Sequence, residues 1–250
     1  MSRIALITGA TSGIGHAIAE AFAALEYPLI LCGRRPDRLE EVRQTLGRRT
    51  RVHTLQFDVR DRAAVEQALA GLPDDLKAVD ILVNNAGNAH GLAPIQEGDV
   101  DDWDAMLDGN VKGLLYVTKA ISPGMVEKGS GHIVNISSIA GKQTYANGTV
   151  YCASKAAVEA LSEGMRLDLT PYGIKVSNVA PGAVETEFSM VRFKGDESRA
   201  AKVYEGFTPL TAKDIADAVV YIVTAPPHVT ISDITLLAGA QASATSINRK

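Results

Sequence analysis

Cysteine is scarce. The 250 residues hold two, Cys32 and Cys152, with no CxxC pair. That excludes a disulfide framework and a cysteine-built zinc site, and no metal is expected. Long apolar runs are missing as well. None approaches the roughly 18 residues of a membrane span, and the apolar stretch at the N-terminus is too short for a signal peptide. No membrane partner is expected, and a cytoplasmic location is. Nor is positive charge in excess: Lys+Arg is 25 against 29 Asp+Glu, a formal net charge of −4. This argues against a protein held to nucleic acid by phosphate contacts. Proline is low at 10 residues, which suits uninterrupted strands and helices, whereas glycine reaches 22. The remainder, 46% hydrophobic and 22% charged, fits an ordinary soluble globular protein with a sizeable core.

Short apolar runs alternate with helical patterns. Strand-like runs fall at residues 4–8, 29–32, 52–57, 81–83, 132–136, 175–179 and 231–236. Helical spacing falls between them, at 14–25, 37–46, 63–72, 103–127, 150–169 and 213–223. Continuous Val/Ile/Leu runs mark strands buried on both faces. Their alternation with helices predicts an α/β fold: one Rossmann-type, doubly wound parallel sheet of about seven strands in three αβα layers. No linker interrupts the pattern, so 1–250 reads as a single domain. The 186–208 segment breaks the rhythm between the sixth and seventh strands. It reads as a substrate lid rather than an idle loop.

The first strand runs into Gly9, Thr11, Ser12, Gly13, Ile14 and Gly15, a GxxxGxG spacing that opens a helix. Glycine there permits a tight turn and lets a pyrophosphate approach backbone N–H groups at the helix N-terminus. A glycine-rich turn without a ligand is the plainer reading, but the position after the first strand favours a dinucleotide. The second strand ends in Gly33-Arg34-Arg35, with no acidic residue at its tip. Arginines at this place favour the 2′-phosphate of NADP(H) over the free ribose of NAD. At the third strand's end, Asp58 and Val59 are placed to meet the adenine.

The fourth strand ends in Asn84-Asn85-Ala86-Gly87, where amides can tie strands and small residues leave room for a ring or ribose. Ser138 follows the fifth strand. Tyr151 and Lys155 then stand four residues apart, on one helix face. A phenol has an ordinary pKa near 10, and an adjacent ammonium favours its phenolate. Tyr151 could then exchange a proton with a substrate oxygen as general acid/base, with Ser138 positioning that oxygen. Asn110 could hold a water linking Lys155 to solvent. YxxxK alone occurs by chance in many helices; the joint occurrence, in order and on the right elements, carries the weight.

These residues, with TGxxxGxG at 8–15, NNAG at 84–87 and Pro181-Gly182 before Thr186, resemble the compact short-chain dehydrogenase/reductases over essentially the whole chain. The resemblance implies catalytic roles for Asn110, Ser138, Tyr151 and Lys155. It implies that Lys155 also holds the nicotinamide ribose, beside Tyr151, and that Pro181, Gly182, Val184 and Thr186 flank the carboxamide. It implies a homotetramer too, which fits apolar residues on more than one side of the helices at 103–127 and 150–169.

A closer resemblance, through Gly33-Arg34-Arg35, residues 123–127 and 186–196, is to NADP-dependent 3-hydroxy acid dehydrogenases and sulfoacetaldehyde reductases. Such substrates carry an anion near the reacting carbon, so a lid cation makes sense. Arg192 is the first candidate and Lys194 the second, the plainer reading being that Arg192 pairs with a carboxylate in a neighbouring subunit or loop. The loop before Tyr151 reads Lys142-Gln143-Thr144-Tyr145, more polar than in those relatives, and Gln143 is the expected substrate contact there. Two rivals stand beside the hydroxy acid reading: a reductase of a neutral ketone or sugar, and a non-catalytic NADPH-binding regulator. The 241–250 tail, small and polar, is left either crossing to a partner or disordered.

Overall fold

A computed structural model describes residues 3–250. Strands and helices alternate from β1 (Ala5–Thr8) and α1 (Gly13–Ala24) through β2 (Leu29–Gly33), α2 (Pro36–Leu46), β3 (Val52–Gln56), α3 (Arg62–Ala70) and β4 (Ile81–Asn84). Then come α4 (Val100–Leu107), α5 (Gly113–Lys128), β5 (Gly131–Ile136), α6 (Ile139–Lys142), α7 (Thr149–Leu169) and β6 (Ile174–Pro181). The chain closes with β7 (Val184–Glu185), α8 (Phe188–Arg192), α9 (Glu197–Lys202), β8 (Leu210–Thr211), α10 (Ala212–Thr224) and β9 (Asp233–Leu236). Seven strands form one parallel sheet in the order β3-β2-β1-β4-β5-β6-β9.

The pleat divides the core between two faces. Ala5 and Ile7 of β1 join Ile18 and Phe22 of α1, Val42 of α2 and Val219 of α10. Leu6, between them, faces the opposite way, into Val65 of α3 and Val117, Ile121 and Met125 of α5. Side chains alternate across a strand, so each strand feeds both layers. Fully burying a Leu, Ile or Phe is worth about 1.5–3 kcal/mol, which makes the all-apolar strands the chief source of stability. Local signals set helix starts: Asp61 accepts from the Ala64 N–H at α3 (3.0 Å), and Thr211 with Asp214 forms a capping box at α10.

The strand order reverses between β2-β1 and β4-β5. A crevice opens there at the carboxyl ends of β1 and β4, the general ligand site of such sheets. The glycine turn and Asn85–Gly87 both face it.

Two elements differ from expectation. The helix expected over 103–127 is broken: a π-helical turn over Asp108–Lys112 separates α4 from α5. Its composition is helical, so periodicity could not show the extra residue; such turns gather at functional sites, and this one carries Asn110. The tail is neither detached nor extended. Residues 241–250 fold back on their own chain, with Ala244 N donating to Gln143 Oε1 (2.9 Å) and Lys250 N to the Gly206 carbonyl (2.8 Å). The 186–208 segment is itself folded, containing α8 and α9 and closed at its base by the parallel β7–β8 pair. Among the described residues no helix is long and apolar enough to cross a membrane.

Candidate active site

The crevice deepens into a cavity of about 760 Å³. Its glycines are required by geometry. Gly9 and Gly13 have φ of +66° and +52°, values that L side chains rarely adopt. A Cβ on Gly15 would stand 2.3 Å from the Gly9 carbonyl oxygen, so Gly15 serves the turn from behind the cavity wall. Thr8, buried at the end of β1, accepts through Oγ1 from the N–H groups of Asn85 (3.1 Å) and Ala86 (3.0 Å). Asn85 Nδ2 returns a bond to the Thr8 carbonyl (2.9 Å). These bonds lock the first and fourth strand ends to each other. Thr8 was not among the expected site residues; its signal was the threonine opening the TGxxxGxG run.

Arg34 and Arg35 line the cavity beside Thr11 and Ser12, with Asp58 and Val59 nearby. Arg35 Nη2 donates to Ser12 Oγ (2.9 Å) and Thr11 Oγ1 (3.2 Å), while its Nη1 meets Glu187 (3.3 Å). Arg38, one turn along α2, holds the other Glu187 oxygen at 2.6 Å. Burial alone would raise the Asp58 carboxyl, but hydrogen bonds from Arg60 and the charge of Arg34 hold it at about 2. Arg38, Arg60 and Glu187 were missed; Arg38 alone had a local signal, its helical spacing from Arg34 and Arg35.

The catalytic candidates converge at the other end. Ser138 caps α6, its Oγ accepting from Ala140 N (3.1 Å) and lying 3.4 Å from the Pro181 carbonyl. Tyr151 and Lys155 are buried one turn apart in α7. Lys155 Nζ donates to the Ile136 carbonyl (3.0 Å). A Cβ on Gly87 would lie 2.9 Å from Asn110 Oδ1 and 3.3 Å from Lys155 Nζ, so these groups meet at a point only glycine can occupy. Asn110 stands just behind the wall. It grips Asn88 with Oδ1 on its N–H and Nδ2 on its carbonyl, both at 2.8 Å, and Nδ2 also donates to Ser154 (3.0 Å).

On sequence grounds Lys155 should lower the Tyr151 phenol. In the structure burial dominates and pushes that phenol up from its ordinary value, against the Ser138 hydrogen bond and the Arg192 charge. Burial also acts on Lys155, whose ammonium it lowers to about 8 while Glu159 opposes the shift.

Pro181, Gly182, Val184 and Thr186 line the same cavity as Gly9, Ile14 and Ala86. Arg192, from α8, reaches in beside Tyr151, its guanidinium carbon 5.5 Å from that ring's centroid. It donates to Tyr145 Oη (3.0 Å) and the Gly91 carbonyl (3.4 Å). Among the described residues it has no carboxylate partner within ion-pair distance. Lys194 is instead neutralised by Asp102 (3.0 Å) and Asp99 (3.4 Å) and lies outside this cavity. Gln143 is not brought to the site: its side chain is exposed and spent on the tail. Phe188, unanticipated, packs on Tyr151 with ring centroids 5.7 Å apart.

The arrangement can seat a dinucleotide along the glycine turn and bring a small anionic molecule to Tyr151 and Ser138. Comparison with known proteins agrees. The family model for short chain dehydrogenases matches residues 3–197. An NADP-dependent 3-hydroxy acid dehydrogenase, YdfG, of Salmonella typhi is 47% identical over 235 residues, 94% of each chain. Sulfoacetaldehyde reductase 2 of Chromohalobacter salexigens is 45% identical over the full length of both chains. The closed form of a serine dehydrogenase complexed with NADP+ superimposes with a TM-score of 0.93 at 44% identity, covering 99% of this chain and 100% of that one. With the family model matching residues 3–197 and the relatives and fold agreeing over nearly the whole chain, the chain belongs to the short-chain dehydrogenase family.

Proposed function

We propose that this enzyme is an NADP(H)-dependent oxidoreductase of small anionic hydroxy acids and their aldehydes, of the 3-hydroxy acid/semialdehyde or sulfoacetaldehyde type. The observation that carries the substrate class is Arg192, a guanidinium without a carboxylate partner among the described residues and set beside Tyr151. The relatives named for 3-hydroxy acids and sulfoacetaldehyde support the same class.

The residues fit the cofactor. The positive-φ glycines keep the Gly9–Gly15 turn free of side-chain atoms where a pyrophosphate would lie. Arg34 and Arg35 would hold a 2′-phosphate, and Lys155 with Asn85–Gly87 the nicotinamide half. Bound there, NADP(H) supplies or accepts the hydride. This chain's own residues do the rest. Arg192 orients the substrate anion by charge-assisted hydrogen bonds, and Ser138 holds the reacting oxygen. Tyr151 moves the proton at that oxygen. Lys155, charged below about pH 8, stabilises the phenolate, and Asn110 fixes the Asn88 backbone beside it. Phe188 covers the Tyr151 ring and excludes water.

Leu115 on α5 and Leu167 on α7 are exposed apolar residues, and they support a homotetramer built through those helices. Both cysteines are free and buried, consistent with a reducing cytoplasm.

A reductase screen with NADPH tests the reading. Succinic, malonic and methylmalonic semialdehydes and sulfoacetaldehyde are compared with neutral aldehydes of similar size. The expected result is kcat/KM at least about tenfold higher for one or more of the anions, the value of one charge-assisted hydrogen bond. Preference for the neutral set would return the choice to a ketone or sugar reductase.

A further inference from the structure

Helix α7 carries a third functional group at the same four-residue spacing as Tyr151 and Lys155. Glu159 lies one turn beyond Lys155, and the end of β5 meets all three with consecutive residues. The Ile136 carbonyl accepts from Lys155 (3.0 Å), Ser137 Oγ donates to Glu159 Oε1 (2.5 Å), and Ser138 bonds to Tyr151. Ser137 is thus the neighbour of the residue that positions the substrate oxygen.

Glu159 also anchors a cluster that joins three other elements. Its Oε1 accepts from Asn178 Nδ2 of β6 (2.8 Å) and its Oε2 from Lys142 Nζ of α6 (3.0 Å). Lys142 reaches on to Asp233 Oδ2 of β9 (2.8 Å), which also accepts from Asn178 (2.7 Å). Two carboxylates share one ammonium, so the cluster keeps one uncompensated negative charge. Around Lys155 itself, β5 offers only Ser137, Ser138 and the Ile136 carbonyl, and the π-helical turn offers the neutral Asn110. Arg192 approaches the Tyr151 ring from α8. Glu159 is therefore the carboxylate that faces the buried ammonium.

We propose that Glu159 is a positioning residue for the proton-handling pair: it fixes Ser137 beside Ser138 and keeps Lys155 charged through the net negative charge of its cluster. The inference rests on the reading of Tyr151 and Lys155 as that pair. Burial opposes the charged ammonium, and a carboxylate one turn away favours it. Tyr151 and Lys155 stand one turn apart in α7. A nearby negative charge makes loss of the Lys155 proton harder. Removing the charge must therefore move the titration to lower pH, and adding one must move it higher.

The test uses the full-length protein with isotope-labelled lysine, followed by NMR as pH is raised. Lys155 is identified by its missing signal in Lys155→Met. Glu159→Gln should lower the Lys155 midpoint by about half a pH unit or more. Lys142→Met, which leaves both carboxylates uncompensated, should raise it. The pH profile of NADP+-dependent 3-hydroxypropionate oxidation should shift in the same two directions. A role confined to packing would lower activity at every pH and leave both midpoints in place; that result in either folded variant overturns the proposal. Tyr151→Phe separates the layers: if it turns over normally, the assignment of the pair fails, even if the Lys155 midpoint obeys Glu159.

Discussion

Glu187 Oε2 lies 3.3 Å from Arg35 Nη1, and the second Glu187 oxygen lies 2.6 Å from Arg38. A carboxylate at the entry to the 186–208 segment thus sits on an arginine assigned to the cofactor's 2′-phosphate. Hydrogen bonds from Arg38 and then Arg35 outweigh burial and keep that carboxyl below its usual range, so it is charged at neutral pH and competes with a phosphate for Arg35. Replacing Glu187 by Gln should tighten NADP+ by about two- to fivefold, the worth of an exposed ion pair, and leave NAD+ nearly unchanged. Titration calorimetry with both cofactors checks this. Equal tightening of the two would mean that Glu187 obstructs the crevice rather than the phosphate.

Arg35→Ala should act in the opposite sense. Charge-assisted hydrogen bonds are worth about 1.5–3 kcal/mol, so NADP+ affinity should fall by roughly 10- to 150-fold while NAD+ changes little. Wild-type protein that binds NAD+ more tightly than NADP+ would refute the role given to Arg34 and Arg35.

Arg192 has a sharper signature, because its guanidinium is spent on Tyr145 and a backbone carbonyl rather than on an acid. Arg192→Ala should raise KM for a carboxylate or sulfonate substrate by at least about tenfold and leave a neutral aldehyde unaffected. Arg192→Lys should restore only part, since an ammonium lacks the planar fork. An unchanged KM for the anion would remove Arg192 from the substrate site.

Tyr151→Phe deletes the proton-transfer group and keeps the ring against Phe188. General acid–base catalysis contributes about 10²- to 10⁴-fold, so kcat should fall by at least that range while NADP+ still binds. Steady-state kinetics paired with cofactor titration separate the two effects.

What could be read from the sequence depended on how local the signal is. Gly9, Gly13 and Gly15 announce a turn because the turn closes within seven residues, and Tyr151 with Lys155 announces a shared face because helical spacing is fixed. The parallel sheet followed from uninterrupted apolar runs such as 29–32. Thr8 clamping Asn85, and Glu187 crossing to Arg35 and Arg38, depend on chain segments about 77 and 152 residues apart in sequence, and no spacing encodes them. Gln143 was misplaced for the same reason: a polar residue in the loop before Tyr151 reads as a substrate contact until the tail is seen to occupy it. Arg192 is the intermediate case: substrate chemistry suggested a lid cation, with Arg192 first and Lys194 second, and the structure adds that Lys194 is paired with Asp99 and Asp102.

The buried ammonium makes a prediction about stability that its catalytic role would not suggest. Lys155 is lowered from the ordinary lysine value to about 8 by burial. Between about pH 8 and 10.4 the unfolded chain therefore binds more protons than the folded one, and stability rises with pH across that window. Below about pH 8 both states are protonated and the folded protein carries the full cost of the buried charge. Lys155→Met, similar in volume and uncharged, should then be more stable than wild type at pH 7 by about 1–3 kcal/mol. The advantage should shrink steadily as pH is raised from 8 towards 10. Urea denaturation of the two proteins at pH 7, 8.5 and 9.5 measures it. A variant that is inactive yet more stable would show that Lys155 is kept at a stability cost for the proton chemistry at Tyr151. A variant less stable at every pH would show instead that the bond to the Ile136 carbonyl outweighs desolvation.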